Sequence, residues 1–140
     1  MIRRSLLTDL AAINAFDIFA GSRLLEIADD HMLVADVDGE VVGYVSWVPR
    51  GFIGRDYITH LGVAPAFQRR GFGRALLQAA EAAIGAGRLF ASTNENNVTM
   101  LGLLSIEGWL PAGSVACVNE GDRAELFFYK DRATDATTAK

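Results

Sequence analysis

The stretch HLGVAPAFQRRGFGRALLQAAEAA, residues 60–83, decides how this chain is read. Its first residues continue the β-rich run DYITHLGV (56–63), Pro65 stops that strand, and a helix then runs to about Gly85. A helix N-terminus carries unpaired N–H groups and a partial positive charge, so it attracts anions and disfavours cations. Arg69, Arg70 and Arg74 sit at that end, against the rule. No Asp, Ser, Thr or Asn stands where a cap belongs, and Gly71 and Gly73 leave the backbone open to close approach. An external anion resolves both oddities, and a polyphosphate at the mouth of a βα unit is the usual solution. The pattern is neither GxxxxGK[ST] nor GxGxxG, which excludes the P-loop and the dinucleotide fingerprint. The bland alternative is a solvated, Arg-rich turn with glycines for bending.

The rest of the 140 residues fits one domain, expected over 1–130, with a loose polar tail over 131–140. With 51% hydrophobic and 21% charged residues, the chain is neither disordered nor fibrous. A net charge of -4 gives no global reason for a nucleic-acid or membrane surface, so neither partner is expected. No apolar run reaches the ~18 residues of a membrane span, and MIRRSLLTDLAAI turns polar too soon for a signal peptide, so a cytoplasmic location is expected. The lone cysteine, Cys117, lies in an apolar, strand-like run and is expected to be a buried structural thiol, with no disulfide and no metal site.

A short strand is expected at 1–4, a helix over TDLAAINAFDIFA (8–20) behind a Thr8 cap, and a second helix at SRLLEIA. HMLVADVDGEVVGYVSWVP reads as a hairpin turning at Asp38-Gly39, with strands near 32–37 and 40–48 followed by the loop PRGFIGR. RLFAST is a strand, NENNVTMLGLLSIEG a helix closed by Gly108, and WLPAGSVACV and AELFFYK are strands split by the turn NEGD.

HLGVAPAFQRRGFGRALL resembles the acetyl-CoA-binding motif of the GCN5-related N-acetyltransferases, Gln/Arg-x-x-Gly-x-Gly/Ala, here Gln68, Gly71 and Gly73. The resemblance covers most of the chain and implies a mixed α/β fold: a mostly antiparallel sheet of six to seven strands with about four helices. It further implies that Gln68, Arg69, Arg70, Gly71, Phe72, Gly73 and Arg74 form the pyrophosphate socket through their backbone. Leu61, Gly62 and Val63 would offer backbone groups to the pantetheine arm and thioester, and Asn97 would contact the arm. The implied activity is transfer of acetyl from acetyl-CoA, a co-substrate, to a primary amine on a small molecule or peptide, by direct attack in a ternary complex.

Such a transfer needs a base, and His60 is the first candidate, because histidine accepts a proton near neutrality without much tuning. Asp56 and Glu95 are the alternatives, and a chain of waters could also do this work. The family's later pattern places Leu104 where a tyrosine usually protonates the thiolate, and leucine has no proton to give. Tyr57, a hydroxyl at Ser92 or Thr93, or solvent is the substitute acid. Leu104 also motivates a second reading, a catalytically silent CoA-binding sensor or interaction module on the same fold. Gly62, inside a strand, is a candidate bulge residue. Homodimer formation through the last strands is a further expectation.

Overall fold

The computed structural model describes residues 1–133 and contains seven strands and four α-helices, a mixed α/β fold with mostly antiparallel pairing. The chain divides into two compact units, residues 1–48 with 58–84, and residues 49–57 with 85 onward. Among the described residues no helix is long and apolar enough to cross a membrane.

In the first unit β1 (Ile2–Arg4), β2 (Met32–Val37), residues 40–48 of β3 (Glu40–Phe52) and residues 58–63 of β4 (Arg55–Val63) follow one another in the sheet. The β2–β3 turn is the expected one: Asp38 and Gly39 both take positive φ, and Asp36 Oδ1 accepts the Gly39 N–H at 2.8 Å. Residues Val41–Trp47 of β3 are all buried, so both faces of this strand are covered, and the run reads as continuous rather than alternating. α1 (Leu10–Phe16) and α2 (Leu24–Ala28) bring Ile13 and Ile27 to a core with Met32, Val34, Val41 and Tyr44. α3 (Phe72–Ile84) buries Leu76, Leu77 and Ala80.

The first helix is shorter than its sequence suggests. A 3-10 turn, Leu7–Asp9, precedes α1, and Thr8 does not cap it. Asp9 instead takes the Leu6 N–H at 2.7 Å and a two-pronged pair with Arg3. At the other end Asp17 leaves the helix, extended at ψ 124, because its carboxylate is drawn into a buried polar cluster.

In the second unit the order is β5 (Gly87–Asn94), β7 (Glu125–Arg132), β6 (Leu110–Val115), all antiparallel. α4 (Val98–Ile106) ends over one face, where Lys130 Nζ donates to the Glu107 carbonyl. Register assigns Leu89, Ala91 and Thr93 to that side, and Phe90, Ser92, Phe127, Glu125 and Tyr129 to the other. Phe52 and Tyr57, from the ends of β3 and β4, pack on this second side: Phe52 lies 5.0 Å from both Phe90 and Phe127.

Three expectations need correction. The segment PRGFIGR is no loop: β3 runs on to Phe52 and turns at Ile53-Gly54, both at positive φ, with the Arg50 N–H held by Asp56 Oδ1 at 3.0 Å. β6 ends at Val115, and Cys117 beyond it is exposed at φ +64, because the chain turns there instead of extending. β7 continues through Asp131 and Arg132, with Asp131 paired to Arg88, so the first residues of the expected tail are strand. Residues 134–140 of that tail lie outside the described residues.

Candidate functional site

The residue before α3 is a glycine, which has no side chain with which to cap the helix. Gly71, the residue before it, has φ +87, and Ala75 N–H donating to the Gly71 carbonyl at 3.0 Å is the first bond of the helical ladder. The amides of Gly71, Phe72 and Gly73 precede that bond and have no helical carbonyl four residues back. A Cβ built on Gly71 meets nothing within 4 Å, so the glycine answers to its backbone conformation and to open space in front of it. Arg69 is also left-handed, at φ +63. Left-handed residues alternating along a short turn gather N–H groups into a concave cluster suited to an anion.

The arginines are handled individually. The Arg70 guanidinium lies 5.1 Å over the Phe67 ring, which meets Phe72 edge-on at 6.1 Å. Gln68 reaches back, its Nε2 donating to the Val63 carbonyl at 3.0 Å, and so ties the turn to the end of β4. Of the backbone groups expected to serve a ligand at Leu61–Val63, this one carbonyl already has a partner. Gly62 has its own reason to be glycine: a Cβ there would stand 2.9 Å from Tyr44 Cε1.

His60, further along β4, belongs to a polar cluster of the first unit that its sequence neighbours do not suggest. Arg23 Nη1 lies 2.5 Å from Nδ1 and 2.7 Å from Nε2, and Phe19 packs 4.9 Å from the ring. A guanidinium only donates, so the ring nitrogen it bonds carries no hydrogen. Burial pushes the His60 pKa down, and Arg23 pushes it further, against the pull of Glu26 and Asp17. The imidazole is therefore held neutral.

Arg23, 3% exposed, is balanced by Asp17 Oδ2 at 3.3 Å from Nε and by Glu26 Oε2 at 3.3 Å from Nη1, and donates to the Ala20 carbonyl. Tyr44 Oη donates to Asp17 Oδ1 at 2.8 Å, and Ser46 Oγ shares a hydrogen with Thr59 Oγ1 at 2.8 Å. Sequence reasoning missed Asp17, Arg23 and Glu26. They stand 34 to 43 positions before His60, and only the tertiary fold joins them.

Tyr57 heads a second chain of hydrogen bonds, in the second unit. Its Oη lies 2.6 Å from Ser92 Oγ, Ser92 donates to Glu125 Oε2 at 2.7 Å, and Asn119 Nδ2 donates to Glu125 Oε1 at 3.0 Å. Burial raises the Tyr57 pKa, and the Glu125 charge adds to the rise. Glu95 is exposed and holds the turn through its backbone, its N–H donating to the Ala124 carbonyl. Asn97 caps α4, with Oδ1 accepting the Met100 N–H at 3.2 Å, which leaves its Nδ2 hydrogens as donors. Leu104 is wholly buried and packs in the core.

The model of the acetyltransferase (GNAT) family matches residues 6–107, well over half of the chain. The chain belongs to this family. Solved structures agree on the fold. A GNAT-family acetyltransferase from Bacillus cereus is 23% identical with a TM-score of 0.81, over 94% of this chain and 96% of that one. A ribosomal-protein-alanine N-acetyltransferase from Brucella melitensis is 23% identical with a TM-score of 0.74, over 94% and 99%. The yncA protein of Salmonella typhimurium, solved with its cofactor acetyl-CoA, is 23% identical with a TM-score of 0.76, over 97% and 98%. The sequence matches none of the curated proteins compared. In this GNAT chain the position before α3 is Gly71, left-handed and with open space where a side chain would stand.

Proposed function

We propose that this GNAT protein moves an acetyl group from acetyl-CoA to a primary amine by direct attack in a ternary complex. The observation that carries the reading is the start of α3: amides that precede the first helical bond, a left-handed Gly71, and open space where its side chain would be. These residues fit a pyrophosphate, with the backbone from Arg69 to Arg74 as donors. Backbone groups of Leu61 and Gly62 would address the pantetheine arm and the thioester, and the Asn97 amide would add a donor to the arm.

Positioning supplies much of the rate of such a transfer, because it makes the encounter of amine and thioester local. The amine must be deprotonated to attack. His60, neutral and one-quarter exposed, is the base this reading assigns; Arg23 keeps it unprotonated by donating to the ring nitrogen that would take the proton, so that contact opens when His60 acts. Glu95, with its exposed carboxylate, ranks behind it. With Leu104 at the usual tyrosine position, the departing thiolate takes its proton from another group, and its moderate basicity makes that demand small. Tyr57, the candidate by residue type, commits its hydrogen to Ser92, so solvent is left as the donor to the thiolate.

Leu104, buried and without a hydroxyl, also supports the second reading, a CoA-binding module that transfers nothing. One pair of measurements separates the two. Calorimetric titration with acetyl-CoA should give saturable binding, and acetyl-CoA consumption across amine classes should rise above hydrolysis for at least one class. Binding without consumption supports the silent module. No binding removes both.

A further inference from the structure

Each hydrogen along Tyr57, Ser92 and Glu125 can be placed by elimination. The Glu125 carboxylate only accepts, so the single hydrogen of Ser92 goes to Oε2 at 2.7 Å. Ser92 then has none left for Tyr57, so Tyr57 Oη is the donor across the 2.6 Å contact. The chain is polarised Tyr57 to Ser92 to Glu125. The remaining capacity of Tyr57 Oη is as an acceptor, the reverse of what a proton donor to a thiolate needs. Among the described residues no Arg, Lys or His lies within 4.0 Å of the Glu125 carboxylate, whose partners are the neutral Ser92 and Asn119. Its negative charge is therefore not cancelled by an ion pair.

The proton balance of amine acetylation calls for such a device. An ammonium entering the reaction sheds two protons on its way to a neutral amide. One of them returns to the thiolate, and the other must leave.

We infer that Tyr57, Ser92 and Glu125 form a proton relay that removes the one that must leave, Tyr57 Oη being the port and Glu125 the terminal acceptor. In one concerted shift, a substrate N–H bond breaks and its proton binds Tyr57 Oη. The Tyr57 proton passes to Ser92 Oγ, and the Ser92 proton passes to Glu125 Oε2. The nitrogen keeps the electron pair, both hydroxyls end as they began, and the carboxylate becomes a carboxylic acid that loses its proton to water. No oxidant or further reactant enters. Tyr57 is the catalytic residue of the relay, while Ser92 and Glu125 act through it. Asn119 positions the carboxylate by engaging the oxygen that the relay leaves unused.

This inference rests on the proposed acetyl transfer, and the experiment separates the two. kcat, and KM for acetyl-CoA, are measured for the wild-type chain and for Ser92→Ala, Ser92→Thr, Glu125→Gln and the double variant S92A/E125Q. The relay predicts that S92A and E125Q each lower kcat by about 100-fold, a usual contribution of general base catalysis. It predicts unchanged acetyl-CoA KM, recovery of most of the rate in Ser92→Thr, and a double variant no slower than either single one. A purely structural hydrogen bond would not respond to restoration of a hydroxyl by lowering and raising kcat alone. Active wild type with kcat unchanged in S92A or E125Q overturns the relay and leaves acetyl transfer standing. Losses that multiply in the double variant overturn it as well. Wild type that binds acetyl-CoA but acetylates no amine overturns acetyl transfer and the relay together.

Discussion

Replacing Gly71 by aspartate tests the socket at its most exposed point. A Cβ at this position meets nothing within 4 Å, so a side chain fits the protein and projects into the space assigned to the ligand. The φ of +87 imposes a backbone cost on any non-glycine residue of about 1–2 kcal/mol, which alanine bears equally or more than aspartate. Gly71→Ala is therefore the control for everything except charge. A carboxylate about 5 Å from each phosphate raises the energy of the complex by ~1.7 kcal/mol per unit charge at an effective dielectric constant of ~40. Screening over a Debye length of about 8 Å roughly halves that in physiological salt. For the two charges of a pyrophosphate, the screened sum is about 1.8 kcal/mol, or a Kd for acetyl-CoA ~20-fold higher in Gly71→Asp than in Gly71→Ala. Isothermal titration of both variants at low and high salt reads this directly, and the gap should narrow as salt rises. Equal Kd values for the two variants would refute the socket, whatever their common loss relative to wild type.

The His60 pKa lies below its ordinary value in the folded chain, so near neutrality the folded state binds fewer protons than the unfolded one. Stability contributed by the neutral ring is full above about pH 6.5 and is lost as the pH falls below it. Urea unfolding at pH 5.5 and 7.5 should show this slope, and His60→Ala should reduce it; an unchanged slope counts against the buried, neutral histidine. In the same variant kcat should fall and the acid limb of its pH profile should change, with acetyl-CoA binding kept. Arg23→Met strands the Asp17 carboxylate, 5% exposed, without its guanidinium, and should cost about 3–5 kcal/mol as a lower urea midpoint at constant m. Gly62→Ala places a methyl 2.9 Å from the Tyr44 ring, which is wholly buried and bonded to Asp17, and should cost about 1–3 kcal/mol by thermal unfolding. A neutral Gly62→Ala would mean that Tyr44 can move aside.

Local chemistry was legible where the chain answers to its own neighbours. Asp38-Gly39 specifies its turn because both residues accept positive φ at low cost, and the structure turns there. The turn at Ile53-Gly54 was missed for the converse reason: a β-branched residue at φ +49 is what turn chemistry disfavours, so PRGFIGR reads as a loop. Val41–Trp47 was recognisable as strand from its composition, but that both of its faces are buried depends on helices distant in sequence. Cys117 was misread because its apolar neighbours carry no sign of where β6 stops.

The start of α3 is the part the sequence by itself determined. Glycine at a cap position, arginines at the wrong helix end and a proline that stops the preceding strand are all local, and a helix terminus needs only local geometry to present its amides. The two polar chains were decided by tertiary structure alone. Arg23 meets His60 across 37 positions, and Tyr57, Ser92 and Glu125 meet across 35 and 33. Hydrogen bonds act over about 3 Å, so only the packed fold, by bringing these segments together, determines that His60 is held neutral and which way the Tyr57 proton points.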